Sequence, residues 1–170
     1  MSISIREVNT GFAQPLAALL NCSEPSNREI FESNRHRVYS LAFWMTDNEL
    51  AAEELMTAAF IRAFAANASP NQDDIDLALL SELRECMTLG TFVLNCEPCH
   101  QVLSVRRNTM RVDLERAVVQ LPSTEKLIFL MHDVEGYDHG RIARLLEISE
   151  TSSVHGLHQA RLRMRELLAN

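Results

Sequence analysis

Apolar side chains return with a helical period along most of the chain. The cleanest run is Ala52, Leu55, Met56, Ala59, Phe60, Ala63 and Phe64, spaced i, i+3, i+4, i+7, i+8, i+11 and i+12, which predicts one helix with one apolar stripe. Upstream, Ile30, Phe31, Asn34, Val38, Leu41 and Met45 share a similar stripe, and "TDNEL" interrupts it with Asp47 and Asn48 as candidate caps. These two helices are expected to form a hairpin. A third is expected after "ANASPNQDD", with Leu77, Leu80, Leu83 and Met87 along one side and a stop at Gly90. From Thr91 to about Arg111 the period fades around Pro98, a cysteine pair and Arg106-Arg107, as in a linker. Four shorter bursts follow: Leu114, Ala117, Val118, Leu121; Leu127, Leu130, Met131, Val134; Ile142, Leu145, Leu146; and Val154, Leu157, Met164, Leu168. Pro122-Ser123 opens the second burst and Gly136 closes it, while Asp138 and Ser149 are placed to cap the third and fourth.

The predicted fold class is all-α, with two small helical lobes joined by a linker. The expected divisions are an N-terminal extension (1–28), a first helical domain (29–90), a linker (91–111) and a helix-turn-helix domain (112–170). Composition agrees: 46% apolar residues in 170 suffice for a real core, and 6% aromatics with 5 glycines do not suit an all-β chain. A net charge of −7 excludes coating of nucleic acid through bulk charge, so any contact with it must be local. The four cysteines, Cys22, Cys86, Cys96 and Cys99, read as reduced thiols. "PLAALLNC" fails as a lipoprotein signal, because its apolar run is short, Glu7 spoils a basic start and Asn21 stands where a small residue is needed. No stretch reaches the roughly 18 to 20 apolar residues of a membrane span, and a cytoplasmic protein without membrane insertion is expected.

"GYDHGRIARLLEISETSSVHGLHQARLRMRELL" supplies a short helix, the tight connection "EIS" and a longer helix, the plan of a helix-turn-helix. Its second helix would show polar side chains to groove edges and arginines to phosphates. Thr151, Ser152, Ser153, His155, His158 and Gln159, followed by Arg161, Arg163 and Arg165, fit that assignment. A helical corner with a solvated basic helix occurs in any small helical domain, however, so the outline alone does not decide it.

Longer stretches say more. "LPSTEKLIFLMHDVEGYDHGRIARLLEISETSSVHGLHQARLRMRELL" (Leu121 to Leu168) resembles the fourth region of extracytoplasmic-function (ECF) sigma factors, with its Leu-Pro opening, Val-Glu-Gly turn, Ile-Ser turn and Leu-His-X-Ala-Arg run. "RVYSLAFWMTDNELAAEELMTAAFIRAF" (Arg37 to Phe64) resembles the start of that family's second region. The resemblance implies that the second region docks on core RNA polymerase and opens promoter DNA while the fourth reads an upstream element. It places polymerase contacts at Ala52, Glu53, Glu54, Leu55, Thr57 and Phe60 and the DNA-reading helix at Thr151 to Arg161, with Thr151, Ser152, Ser153, His155, His158, Gln159, Arg161 and Arg163 as the DNA-binding candidates. It also implies an anti-sigma factor as a further partner.

The chain departs from the family in the residues that would act. After Leu55 it reads Met56-Thr57-Ala58, without the family's amide and carboxylate, which implies weaker polymerase docking. The segment matching promoter melting has no aromatic to stack on bases, and from Asn67 to His100 six acids face one arginine, a net of −5. Ser152-Ser153-Val154-His155-Gly156 replaces a run that carries two cations in the family, and a mid-helix glycine costs about 1 kcal/mol of propensity against alanine. Two readings follow: an ECF-type sigma factor that directs promoter-specific initiation, or a sigma-like protein that lost promoter opening and regulates through protein contacts.

No enzyme site is legible: there is no phosphate loop, His-Glu-X-X-His run or nucleophile elbow. His155 and His158 lack a third metal ligand nearby, and Glu53-Glu54 and Asp73-Asp74 read as solvated helix ends. "CEPCH" has the spacing of covalent haem attachment but no export signal. Cys96 and Cys99 remain candidates for a thiol redox pair or, with Cys86 and a histidine, a zinc site. Inert linker cysteines and no cofactor are the expectation.

Overall fold

Pro25–Thr46 (α1) and Glu49–Ala66 (α2) pair as the predicted hairpin. The structure, a computed structural model, describes Leu16, residues 25–92 and residues 108–169. Asn48 caps α2: its side chain accepts a hydrogen bond from the Ala51 backbone N–H. The predicted α2 stripe is the buried face, with Ala52, Leu55, Ala59, Phe60, Ala63 and Phe64 all inside. Phe31 of α1 meets Phe60 edge-on at 4.8 Å between ring centroids, which adds directional contact to the apolar burial.

Gln72–Cys86 (α3) starts with a capping box, in which Asn71 and Asp74 each bond the other's backbone N–H. It ends at Cys86 with Met87 as its cap, short of the expected stop, and Gly90 takes its positive φ of 86° beyond the helix. The buried face of α3 is broader than predicted, comprising Ile75, Asp76, Ala78, Leu79, Leu80 and Leu83, because α1, α2 and the second lobe all pack on it. Leu77, expected inside, is 42% exposed.

The second lobe contains Arg111–Val119 (α4), Ser123–Phe129 (α5), running into a wide π turn at Leu130–Val134, His139–Leu146 (α6) and Glu150–Ala169 (α7). Gly136 stops the π turn at φ 75°. Asp138 caps α6 by accepting from the Arg141 N–H at 2.8 Å, and Ser149 Oγ accepts from the Ser152 N–H at 3.0 Å at the start of α7. No strand occurs among the described residues. Leu114, Val134 and Val154 are exposed rather than buried, while the other predicted core positions of this lobe are inside.

The lobes pack on each other. α3 lies against α6, and α1 lies against α4 and α5. The N-terminal extension apart from Leu16 and residues 25–28, and the linker from 93 to 107 with Cys96, Cys99 and His100, lie outside the described residues.

Candidate polymerase and nucleic-acid interfaces

The α6–α7 corner is a helix-turn-helix. Glu147 ends α6 in the left-handed region at φ 59°, Ile148 and Ser149 complete the turn, and α7 leaves with Ser149 at its cap. Ile142, Leu145, Leu146 and Leu157 bury the corner, as a recognition unit requires for a fixed angle between its helices.

Along α7 the candidate DNA-reading residues divide. Thr151, His155, His158 and Arg161 are exposed, and Ser152 and Arg163 are half-buried. Ser153 and Gln159 are buried, Ser153 with its Oγ 3.0 Å from His139 Nδ1, so neither presents surface to a groove. Arg161 is held by Asp133 through two bonds, Nε at 3.0 Å and Nη2 at 2.6 Å. Burial raises the Asp133 carboxyl's proton affinity, but the bonds from Arg161 and His132 outweigh it and leave the pKa below the ordinary value. Arg163 bonds Glu166 at 2.9 Å, and Arg165 is exposed. Gly156 looks in sequence like a cost to the helix, yet it marks a close approach: a Cβ there would stand 2.6 Å from Phe92 and 2.7 Å from Ile128.

The polymerase candidates divide in the same way. Glu53 and Glu54 are exposed and Thr57 half-buried on the outer side of α2, whereas Leu55 and Phe60 belong to the core. Sequence reasoning missed Leu50, 66% exposed on the same face as Glu53, Glu54 and Thr57 by the i, i+3, i+4, i+7 rule. Its signal was that it falls outside the α2 apolar stripe.

Sequence reasoning also missed a charged junction between the lobes. Asp76, fully buried in α3, takes bonds from Arg37 of α1, from the Tyr137 hydroxyl at 2.7 Å and from Arg141 of α6 at 3.1 Å. Arg37 also donates to the Tyr137 oxygen at 2.7 Å, and Arg141 reaches Asp73 at 2.7 Å while its guanidinium lies 3.8 Å over the Tyr137 ring. Burial first, then the Asp76 charge, pushes the Tyr137 phenol far above its ordinary value, so it stays a donor.

Among the described residues no group of three or more His, Cys, Asp or Glu is placed to hold a metal, and no helix is long and apolar enough to cross a membrane. Cys86 is a free, exposed thiol. The Cys96 and Cys99 alternatives fall outside the described residues.

Comparison with known proteins bears on the whole arrangement. Residues 111–164 match the family model for sigma-70, region 4. No curated protein matches the sequence. Among solved structures, the chain is similar to one in the co-crystal structure of the sigma factor RpoE in complex with the anti-sigma factor NepR from Bartonella quintana. That similarity has a TM-score of 0.64 and 15% identity, and covers 83% of this chain and 95% of that one. Residues 111–164 therefore match sigma-70 region 4, and the chain as a whole shares the all-helical fold of that Bartonella quintana sigma factor.

Proposed function

We propose that the chain acts as an ECF-type sigma factor, docking on core RNA polymerase through its first lobe and reading duplex DNA with α7. The observation that carries this reading is the region 4 match over a well-capped helix-turn-helix whose second helix keeps Thr151, His155, His158, Arg161 and Arg165 at the surface. On this reading Leu50, Glu53, Glu54 and Thr57 form the polymerase-facing side of α2, and Leu55 and Phe60 support it from the core. An anti-sigma partner is proposed by analogy with the complex formed by the Bartonella quintana protein.

The acidic first turn of α3, with Asp73 and Asp74 and without an aromatic, favours a second reading. In it the chain holds polymerase or an anti-sigma factor and leaves DNA unopened. One experiment separates the two: core polymerase and a labelled promoter duplex are mixed with the purified chain at low and moderate salt. A sigma factor co-migrates with polymerase and shifts the duplex in a salt-dependent way, because releasing phosphate counterions drives the contact. Polymerase binding without a salt-sensitive DNA shift refutes direct promoter reading.

A further inference from the structure

The seam between the lobes carries a buried charged junction within one apolar core that runs through both of them. Asp76 has no solvent access, and both arginines on it arrive from different elements: Arg37 from α1 in its own lobe, Arg141 from α6 across the seam. Tyr137, from the turn before α6, completes the cross-lobe contact through its hydroxyl, and Gln72 reaches that oxygen at 3.3 Å. A buried ion pair contributes less to stability than apolar packing of the same volume, because separating the partners lets water solvate each charge again. It does demand one relative placement. Such a junction defines the closed arrangement while keeping the open one within reach.

Arg141 has a second meaning. It stands in the first turn of the first helix of the helix-turn-helix, and in that motif the first helix crosses the DNA backbone. Here its guanidinium is occupied by two carboxylates, Asp73 at 2.7 Å and Asp76 at 3.1 Å. Arginine binds a carboxylate pair and a phosphate with the same planar donor set. Resting on the reading of this lobe as a DNA reader, we propose that the Arg37–Asp76–Tyr137–Arg141 junction is a latch between the lobes, in which the acids of α3 occupy Arg141 in place of a DNA phosphate. DNA and the first lobe then compete for one side chain, and engagement of a duplex opens the molecule. The rest of the seam guides reclosure: Arg84 reaches the Leu145 carbonyl at 3.5 Å, and Phe92 sits against Gly156.

The test uses the full chain with its native cysteines changed to serine and spin labels at Ala65→Cys in α2 and Leu114→Cys in α4, both exposed. Unmodified at the junction, it should give one narrow interlobe distance, to which a duplex at low salt adds a longer, broader component. Asp76→Asn and, more weakly, Tyr137→Phe should add that component without DNA. If the latch leaves about one molecule in ten open, Asp76→Asn also tightens DNA binding by about tenfold. Tyr137→Phe removes a single hydroxyl and keeps the test valid if Asp76→Asn does not fold. A broad distribution in the unmodified junction, or a narrow one in every folded variant, overturns the latch. Longer distances with unchanged DNA affinity overturn the competition for Arg141. If no variant binds DNA, the DNA-reading function fails, and the distances alone then decide the latch.

Discussion

Gly156→Ala sets two effects of known sign against each other. Alanine favours a helix interior over glycine by about 1 kcal/mol, and on propensity alone the variant would be stabilised. The new Cβ, however, would lie 2.6 Å from Phe92 Cε1 and 2.7 Å from Ile128 Cδ1, against ordinary carbon contacts of about 3.5 to 4.0 Å. Both neighbours must therefore retreat by about 1 Å. Ile128 is fully buried in α5 and has little room, while the half-buried Phe92 ring can swing outward and surrender apolar contact. Overpacking of this kind costs about 1 to 3 kcal/mol, so the net loss is about 1 kcal/mol and the melting midpoint falls by about 2 to 4 °C. Circular dichroism melts of Gly156→Ala, Phe92→Ala and the double variant measure it. The penalty of Gly156→Ala should shrink in the Phe92→Ala background, since one of the two obstructing groups is gone. A midpoint that rises in Gly156→Ala, or a penalty unchanged by removing Phe92, refutes the close approach.

Three further outcomes are expected. Arg161→Ala should weaken DNA binding about equally across sequences and lower the salt slope by about one unit, as for a phosphate contact, whereas Asp133→Asn, which frees Arg161, should tighten binding; filter-binding titrations at several salt concentrations measure both. Leu50→Asp should reduce retention of core polymerase on the immobilised chain while shifting the melting midpoint little, because Leu50 is 66% exposed. Burial, and then the charge of His132 stacked at 4.5 Å, hold the His139 imidazole below its ordinary 6.5, so the unfolded chain takes up a proton before the folded one does. Stability should fall as pH drops from 6.5 to the lower folded value, and melts of His139→Gln should show a shallower decline over that window.

The helices were legible because their signals are local. The α2 stripe, the Asn48, Asp138 and Ser149 caps and the Gly136 stop each depend on residues within a turn or two of one another. Burial on α3 was read less well, since a helix covered from three sides buries a wide arc and Leu77 lies just beyond it. Asp76 looked like one more acid of a negative stretch, because its partners are 39, 61 and 65 positions away and nothing near it announces them. Gly156 looks like a defect in sequence because the groups that need its space, Phe92 and Ile128, lie 64 and 28 positions away. On α7, periodicity locates the helix but not its rotation, so the sequence does not reveal that Ser153 and Gln159 face inward rather than toward a groove.

Reconstituted transcription tests the central claim most directly. Core polymerase is incubated with the chain and a library of genomic fragments, and the 5′ ends of the transcripts are mapped. The account predicts start sites that share upstream elements, are absent with core polymerase alone, and fall alike in yield with Arg161→Ala. Polymerase that binds the chain yet initiates at the same positions with and without it would contradict the account.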